Sequence, residues 1–275
     1  MWLPWRAAVW LALALAVVAT VLWVRVPPRR WLWLRDLAQE GAILSILYAT
    51  WRLIGDITAG DLSHAVVHGR AIVSIERAVR LPSEEWVQQI ALHSHLLVKA
   101  ANWYYIVGHT PVLGVWLVWL YARHRPDFVR WRTVLAVGSI VGELIQLIPV
   151  APPRFALFPI VDTMRLYGPQ VYSDDGAGFA PQLAAMPSLH CVWAITIGAA
   201  IFSVAKGPWR WLGPAHAVVT VLVVVVTGNH YWLDAFAAIP LVLLGLAVAD
   251  LAARLSRRRR SEARTAPRSL DNVAG

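Results

Sequence analysis

The chain alternates long apolar runs with short turns rich in arginine. Crossing a bilayer as a helix takes about 20 mostly apolar residues. Residues 7–24, 97–122, 133–150, 188–205, 211–228 and 233–255 approach or meet that demand. Periodicity alone does not make these runs helices. The bilayer core holds no water, so every backbone amide must find its partner inside the protein. The pattern therefore predicts an all-α, polytopic membrane helical bundle of about six transmembrane helices. Trp116, Trp119, Trp209, Trp211 and Trp232 fall near the ends of these runs, where interfacial aromatics collect.

Four regions follow from the same pattern. Residues 1–25 read as an N-terminal transmembrane span. It begins beside Arg6 and is followed by Val26-Pro27-Pro28-Arg29-Arg30, not by a small-residue cleavage site, which favours an uncleaved anchor over a signal peptide. Residues 26–95 read as an interfacial or extracytoplasmic helical segment. Within it, 42–54 is short and holds Arg52, and 83–95 opens on the capping-like Ser83-Glu84-Glu85. Residues 96–255 form the membrane core. Residues 256–275 read as a basic, disordered cytoplasmic tail.

Composition sharpens this picture. Of 275 residues, 58% are hydrophobic and 15% are charged. An ordinary soluble domain carries roughly 25% charge. The mean hydropathy is +0.55. Such a chain is too apolar for disorder and too apolar to hide in one soluble core. The net charge of +9 comes from 25 Lys and Arg against 16 Asp and Glu. Much of it lies in the tail at Arg257, Arg258, Arg259 and Arg260, and the rest beside apolar runs. That placement suits anionic membrane lipids, not nucleic acid. Arg123, Arg125, Arg130, Arg132, Lys206, Arg210 and the tail share one side if six spans are right, so both termini are expected in the cytoplasm. The arginines between 25 and 80 disagree with that assignment. Cys191 is the single cysteine, which excludes an intramolecular disulfide and a cysteine metal cluster.

The candidate chemistry sits in three stretches: Pro152-Pro153-Arg154, Met186-Pro187-Ser188-Leu189-His190, and Thr227-Gly228-Asn229-His230-Tyr231-Trp232-Leu233-Asp234. His190 opens the fourth span and His230 closes the fifth, so a hairpin brings both to one membrane face. Arg154 follows the third span and reaches the same face, which the topology makes extracytoplasmic. His230 and Asp234 are four apart, within reach on a helix. A carboxylate beside an imidazole fixes its tautomer and leaves the other nitrogen as a nucleophile. His190 is suited to acid–base work near neutral pH. Arg154 offers a planar cation to phosphate oxygens, and Ser188 and the helix N-terminus add neutral donors. Either histidine motif alone is common by chance; their joint placement with Arg154 is what carries the reading.

These residues resemble the type 2 phosphatidic acid phosphatase superfamily over roughly residues 95–250. That resemblance implies a six-helix membrane core and metal-independent phosphatase or phosphotransferase chemistry, with neither cofactor nor metal. It implies a phosphohistidine at His230, support from Asp234, and leaving-group protonation by His190. The pattern departs from the superfamily at Leu147, where a lysine is usual, at Phe155, where a proline is usual, and at Val223 and Val224, where Ser-Arg is usual. Pro-Pro-Arg, Met-Pro-Ser-Leu-His and His-Tyr-x-x-Asp are more similar to the inositol phosphorylceramide synthase branch, which implies transfer of a phospholipid head group between lipids at the cell membrane. A phosphodiester donor carries less charge than a phosphomonoester, in keeping with fewer cations. Plain lipid or prenyl phosphate hydrolysis stays open, as does a non-catalytic transporter or scaffold.

A second set of residues is weaker. Lys99, Asn102, Tyr105 (or Tyr104) and His109 form a polar stripe in the second span, and Glu143 lies in the third. Ionisable groups in a membrane are costly and usually face the protein interior, so this set is a candidate head-group pocket. Snorkelling by Lys99 and His109, with Asn102 as interhelical glue, is the equal alternative. The loop at 151–186 holds Asp162, Asp174, Asp175 and Gly176, too few ligands for calcium, and reads as a turn.

Overall fold

The computed structural model describes residues 3–25, 32–58, 62–169 and 182–265. It consists of helices α1 (Trp5–Val24), α2 (Leu32–Thr58), α3 (Leu62–Ala78), α4 (Glu84–Leu92), α5 (His95–Val107), α6 (Thr110–Arg123), α7 (Arg125–Ile145), α8 (Pro153–Ala156), α9 (Thr163–Tyr167), α10 (Leu189–Val204), α11 (Leu212–Val226) and α12 (Trp232–Thr265). No strand occurs among the described residues; one isolated bridge joins Val150 to Ala184. The all-α polytopic class expected from the sequence is what the chain adopts.

Three runs are long and apolar enough to cross a membrane by themselves: Trp5–Val24, Gly207–Val226 and Trp232–Arg259. Two bent pairs also qualify, α2 with α3 and α5 with α6, the latter bent by 48°. The count by length and composition is thus three to five, not six. The shortfall has a local cause. At 16 residues α10 is about 24 Å long, short of the ~30 Å hydrocarbon core. α7 carries Arg125, Asp127, Arg130, Arg132 and Glu143. Both helices are sheathed by neighbours, in a core that includes Leu120, Trp131, Val134, Val192, Ile197, Val224 and Leu241. A helix hidden inside a bundle can be shorter and more polar than one facing lipid. Outward-facing Trp10, Trp23, Val115, Val118 and Leu243 present the apolar surface that hydrocarbon requires.

Close backbone approach lets α10 and α11 pair. A Cβ on Gly198 would sit 2.8 Å from the carbonyl oxygen of Gly213, and one on Gly213 would collide with that of Gly198. Small residues at a helix crossing gain packing where no hydrophobic effect drives association in lipid.

The N-terminal half departs most from the sequence reading. The span expected over 7–24 is α1, but residues 32–58, read as interfacial, form a continuous 27-residue helix beside it. The two are antiparallel: the Tyr48 hydroxyl donates to the Leu3 carbonyl at 2.9 Å, and Leu15 lies against Gly41. α2 runs parallel to α7, pairing Asp36 with Arg125, Glu40 with Arg132, and Thr50 with Glu143. Asp36 and Glu40 are therefore neutralised by partners on α7, while Arg52, which argued against a span, lies 4.0 Å from Asp56 one turn further along α2. The hairpin carries the chain from the end of the bundle that holds His190 and His230 to the arginine end, and back. The first and last described residues, Leu3 and Thr265, consequently lie at opposite ends of the bundle, at variance with the expectation of both termini on one side. It also moves Arg25 and Arg35 to the arginine end, removing part of the charge disagreement. α3 and α4 cap the histidine end, through the Ala151 amide on the Ala65 carbonyl (2.9 Å) and Gln88 on the Val226 carbonyl (3.0 Å).

Two smaller corrections follow. α12 continues through Thr265, so the first ten residues of the supposed disordered tail extend the last helix, as Arg and Glu readily do. Residues 266–275 and the Asp174-Asp175-Gly176 turn lie outside the described residues.

The hairpin yields a direct expectation. Reporters fused to the two termini should register on opposite sides of the membrane, the C-terminal one in the cytoplasm by the positive-inside rule. Reporters on the same side would contradict the placement of α2.

Candidate active site

Gly228 begins the construction. With φ at +70° it turns the chain out of α11 in a conformation that side chains resist. Its carbonyl accepts the Arg154 amide at 3.1 Å, while the amides of Asn229 and His230 both reach the Val224 carbonyl at 3.1 Å. Asn229 and His230 are thereby fixed between the end of α11 and the start of α12, and both are buried.

The His230 ring is oriented by two acceptors on one nitrogen. Nδ1 lies 2.8 Å from the Ala185 carbonyl oxygen and 3.2 Å from Asp234 Oδ2. Neither partner can donate there while Asp234 is ionised, so Nδ1 carries the proton and Nε2 keeps its lone pair. His230 lines a cavity of about 350 Å³. Asp234 is fully buried, and its Oδ2 also accepts the Tyr231 amide at 2.9 Å.

His190 stands across the cavity, with its ring centroid 5.5 Å from that of His230. It is held between aromatic neighbours: His109 stacks on it at 3.7 Å and Tyr105 packs at 4.3 Å. Trp193 stacks on the other face of His109 at 4.2 Å with planes 5° apart. Arg154 also lines the cavity. Its guanidinium donates to Asn229 Oδ1, and Nε lies 3.3 Å from Asp162 Oδ2. Asp162 in turn caps α9 through the amides of Met164 and Arg165 at 3.0 Å. Arg154 is the only Lys or Arg among the described lining residues of this cavity.

The sequence thus predicted His230, Asp234, His190 and Arg154 as a cluster, and the fold brings them together. Tyr105, His109 and Glu143 line the same cavity. Three other candidates do not. Lys99 is exposed and points away from it. Asn102 is buried elsewhere: its amide donates to the carbonyls of Thr163 (2.9 Å) and Gly168 (2.8 Å), and its carbonyl accepts from Thr163 at 2.7 Å. It clamps the segment after Arg154 and contacts no substrate space. Ser188 is fully buried outside the cavity, where its hydroxyl caps α10 by accepting the Cys191 amide at 3.3 Å. Tyr104, the alternative to Tyr105, pairs with His216 at 2.7 Å. One helix places successive residues on different faces, so the stripe 99–109 splits between the exposed surface, a loop and the cavity.

Several residues escaped the sequence reading. Gln146 donates to the carbonyls of Ala184 (3.2 Å) and Pro187 (2.9 Å), fixing the strap that presents the Ala185 carbonyl to His230. Glu76 and Glu84, both buried, accept the Leu233 and Trp232 amides at 2.8 and 3.4 Å. With Asp234 on Tyr231, three acidic side chains accept the first amides of α12, which have no partner within the helix; burial, with Glu84 beside it, pushes the Glu76 carboxyl up to about 8. Glu84 carried a sequence signal, but for the start of its own helix; its reach to α12 exists only in the tertiary structure. Among the described residues, no three His, Cys, Asp or Glu side chains are grouped to hold a metal ion.

A helical membrane protein with an oriented histidine–aspartate pair, a second histidine and an arginine around one cavity has the parts of a phosphoryl-handling membrane enzyme. The family description "PAP2 superfamily" matches residues 70–248, and the chain belongs to that superfamily. Its members are generally phosphatases, which supports a phosphatase-type activity on lipid phosphates. No curated protein and no solved structure matches the chain significantly.

The geometry separates two residues that the sequence treated alike. Arg154→Lys should lower kcat/KM for a lipid phosphate by about 10²-fold, because the planar fork is lost where charge develops. Ser188→Ala should lower thermal stability by about 1 kcal/mol, the worth of an N-cap, with much the smaller effect on turnover. Equal kinetic losses in both would return Ser188 to the phosphate site.

Proposed function

We propose that the chain is an integral membrane lipid phosphatase/phosphotransferase that works through a phosphohistidine on His230, and that its favoured reaction is inositol phosphorylceramide synthase-like transfer of a phospholipid head group. The observation that carries the reading is the His230 ring, whose protonated Nδ1 leaves Nε2 as a nucleophile at the cavity. In the first step the Nε2 lone pair forms a bond to phosphorus as the bond from phosphorus to the leaving alkoxide oxygen breaks. His190 gives a proton to that oxygen. Arg154 offsets charge on the equatorial oxygens, the main catalytic effect expected for phosphoryl transfer. In the second step an acceptor hydroxyl loses its proton to His190 and displaces His230 from phosphorus. Asp234 stabilises the imidazolium that appears transiently at His230.

The charge of the site favours a phosphodiester donor. Leu147 is exposed, and Val223 and Val224 are buried in the core, so the positions of the usual additional cations contribute no charge to the cavity. A single guanidinium matches the single negative charge of a diester better than the two of a monoester. The sidedness that accompanies this reading puts the site on the extracytoplasmic face of the cell membrane. The basic end of α12 then meets anionic lipids of the cytoplasmic leaflet.

The test uses purified protein in mixed micelles with phosphatidic acid, a prenyl pyrophosphate, and phosphatidylinositol together with ceramide or diacylglycerol. A new phospholipid without free phosphate supports head-group transfer; free phosphate without a new lipid reduces the reading to hydrolysis. His230→Ala should abolish either product while expression stays normal, and His190→Ala should cost at least about 10²-fold. Wild-type turnover by His230→Ala would sink the phosphohistidine scheme.

A further inference from the structure

The cavity does not end at the histidines. Its catalytic end is formed by His190, His230, Arg154 and Asn229, and the remainder is mostly apolar, with Ser139 and Glu143 among the polar groups that line it. Leu44, Leu47 and Trp51 come from α2, Leu113 and Leu117 from α6, and Leu135 from α7. At about 350 Å³ it is large for a phosphoryl group alone and falls within the range of small-molecule pockets. Both Gln146, beside the strap near His230, and Leu135 line it. Along α7 these positions are separated by about 16 Å at helical rise, roughly half the hydrocarbon thickness of a bilayer. The space thus leads from the catalytic groups toward the bilayer midplane.

We propose that this groove receives one hydrocarbon tail of the substrate, and that the N-terminal hairpin of α1 and α2 sets which tail lengths are accepted. The inference rests on the reading that the site handles a lipid phosphate, and it adds what that reading leaves open. A phosphoryl group between His230 and Arg154 directs the apolar part of the same molecule into the mostly apolar space that joins the site. α2 lies outside the family match, which begins at residue 70. That part of the wall is therefore carried by residues outside the matched segment. That wall is fixed on both sides. Within the bundle the Thr50 hydroxyl donates to buried Glu143 on α7, and toward lipid α1 packs against α2 through Leu15 on Gly41. Glu143, a candidate head-group contact by sequence, acts here as the anchor of the tail wall.

The experiment compares short-chain with long-chain phosphatidylinositol, diacylglycerol being the acceptor, and short-chain with long-chain phosphatidic acid, as alternative substrates of the full-length protein. Leu117→Trp and Leu44→Trp place an indole in the inner part of the groove. The ratio of kcat/KM for the long chain over the short chain should fall at least about tenfold, the scale at which a filled apolar pocket discriminates. Thr50→Val, which unfastens α2 from Glu143, should bring that ratio closer to one. An unchanged ratio in both tryptophan variants overturns the proposal. Should those variants fail to fold, the wild-type protein decides with a phosphatidic acid carrying a diazirine at the end of one tail. Labelling of α2 and α6 near Leu44 and Leu117 supports the groove; labelling confined to the outer faces of the bundle overturns it. Failure of the wild type to turn over any of these lipids would count against the lipid-phosphate reading, while the labelling would still report on the groove.

Discussion

The Nδ1–H of His230 is the contact on which the rest of the site depends. Nε2 is available for reaction only while the other nitrogen holds the proton, and that requires both the Ala185 carbonyl and Asp234 to stay within hydrogen-bond reach. Each acceptor is secured from a different part of the chain. Ala185 lies on a strap tied by its amide to the Val150 carbonyl at 3.1 Å, with Gln146 bonded to the carbonyls on either side. Asp234 lies in the first turn of α12, whose leading amides are held by Glu76 from α3 and Glu84 from α4. The helices that close the histidine end are thus also what orients the nucleophile.

The bilayer imposes the second constraint. Every charge kept within the helical runs must be paired, because an isolated ion in hydrocarbon is costly. α2 satisfies this with Asp36 on Arg125 and Glu40 on Arg132 at the arginine end, and with Thr50 on Glu143 deeper in. These pairs fix the register of α2 against α7 as well as neutralising it. The same register sets Leu44, Leu47 and Trp51 against the cavity. Electrostatic pairing and the shape of the apolar groove are consequences of one helix alignment.

Charge in the cavity is kept low by comparison. Arg154 is tied to Asn229 and Asp162, so its guanidinium is oriented before any substrate arrives. Preorganisation of this kind matters more than the number of cations, since a fixed dipole or charge needs no reorganisation when the transition state forms. His190 is held by stacking instead of by charge, between His109 and Tyr105. A ring clamped by aromatic faces keeps its direction while its edge stays available for proton transfer.

The sequence by itself determined the membrane setting, the all-helical class and four members of the cluster. Hydrocarbon without water forces helices on apolar runs, His230 and Asp234 are spaced for one helix face, and the hairpin of α10 and α11 must return His230 to the level of His190. The tertiary structure decided what depends on helix rotation and on distant partners. Lys99, Asn102 and Tyr105 lie on one short helix, yet packing leaves the first exposed and sends the others to the 163–168 segment and to the cavity. Ser188 is spent on capping α10, because an N-terminal amide stood nearer than any ligand could. Gln146, Asn229, Glu76 and Glu84 gained their roles from residues up to 157 positions away along the chain. α2 was disguised by Arg52 within a short apolar run, and the partners of its Asp36 and Glu40 lie on α7, far along the chain. Local spacing encodes what one element can do alone; which face meets which neighbour is settled only when all the helices pack.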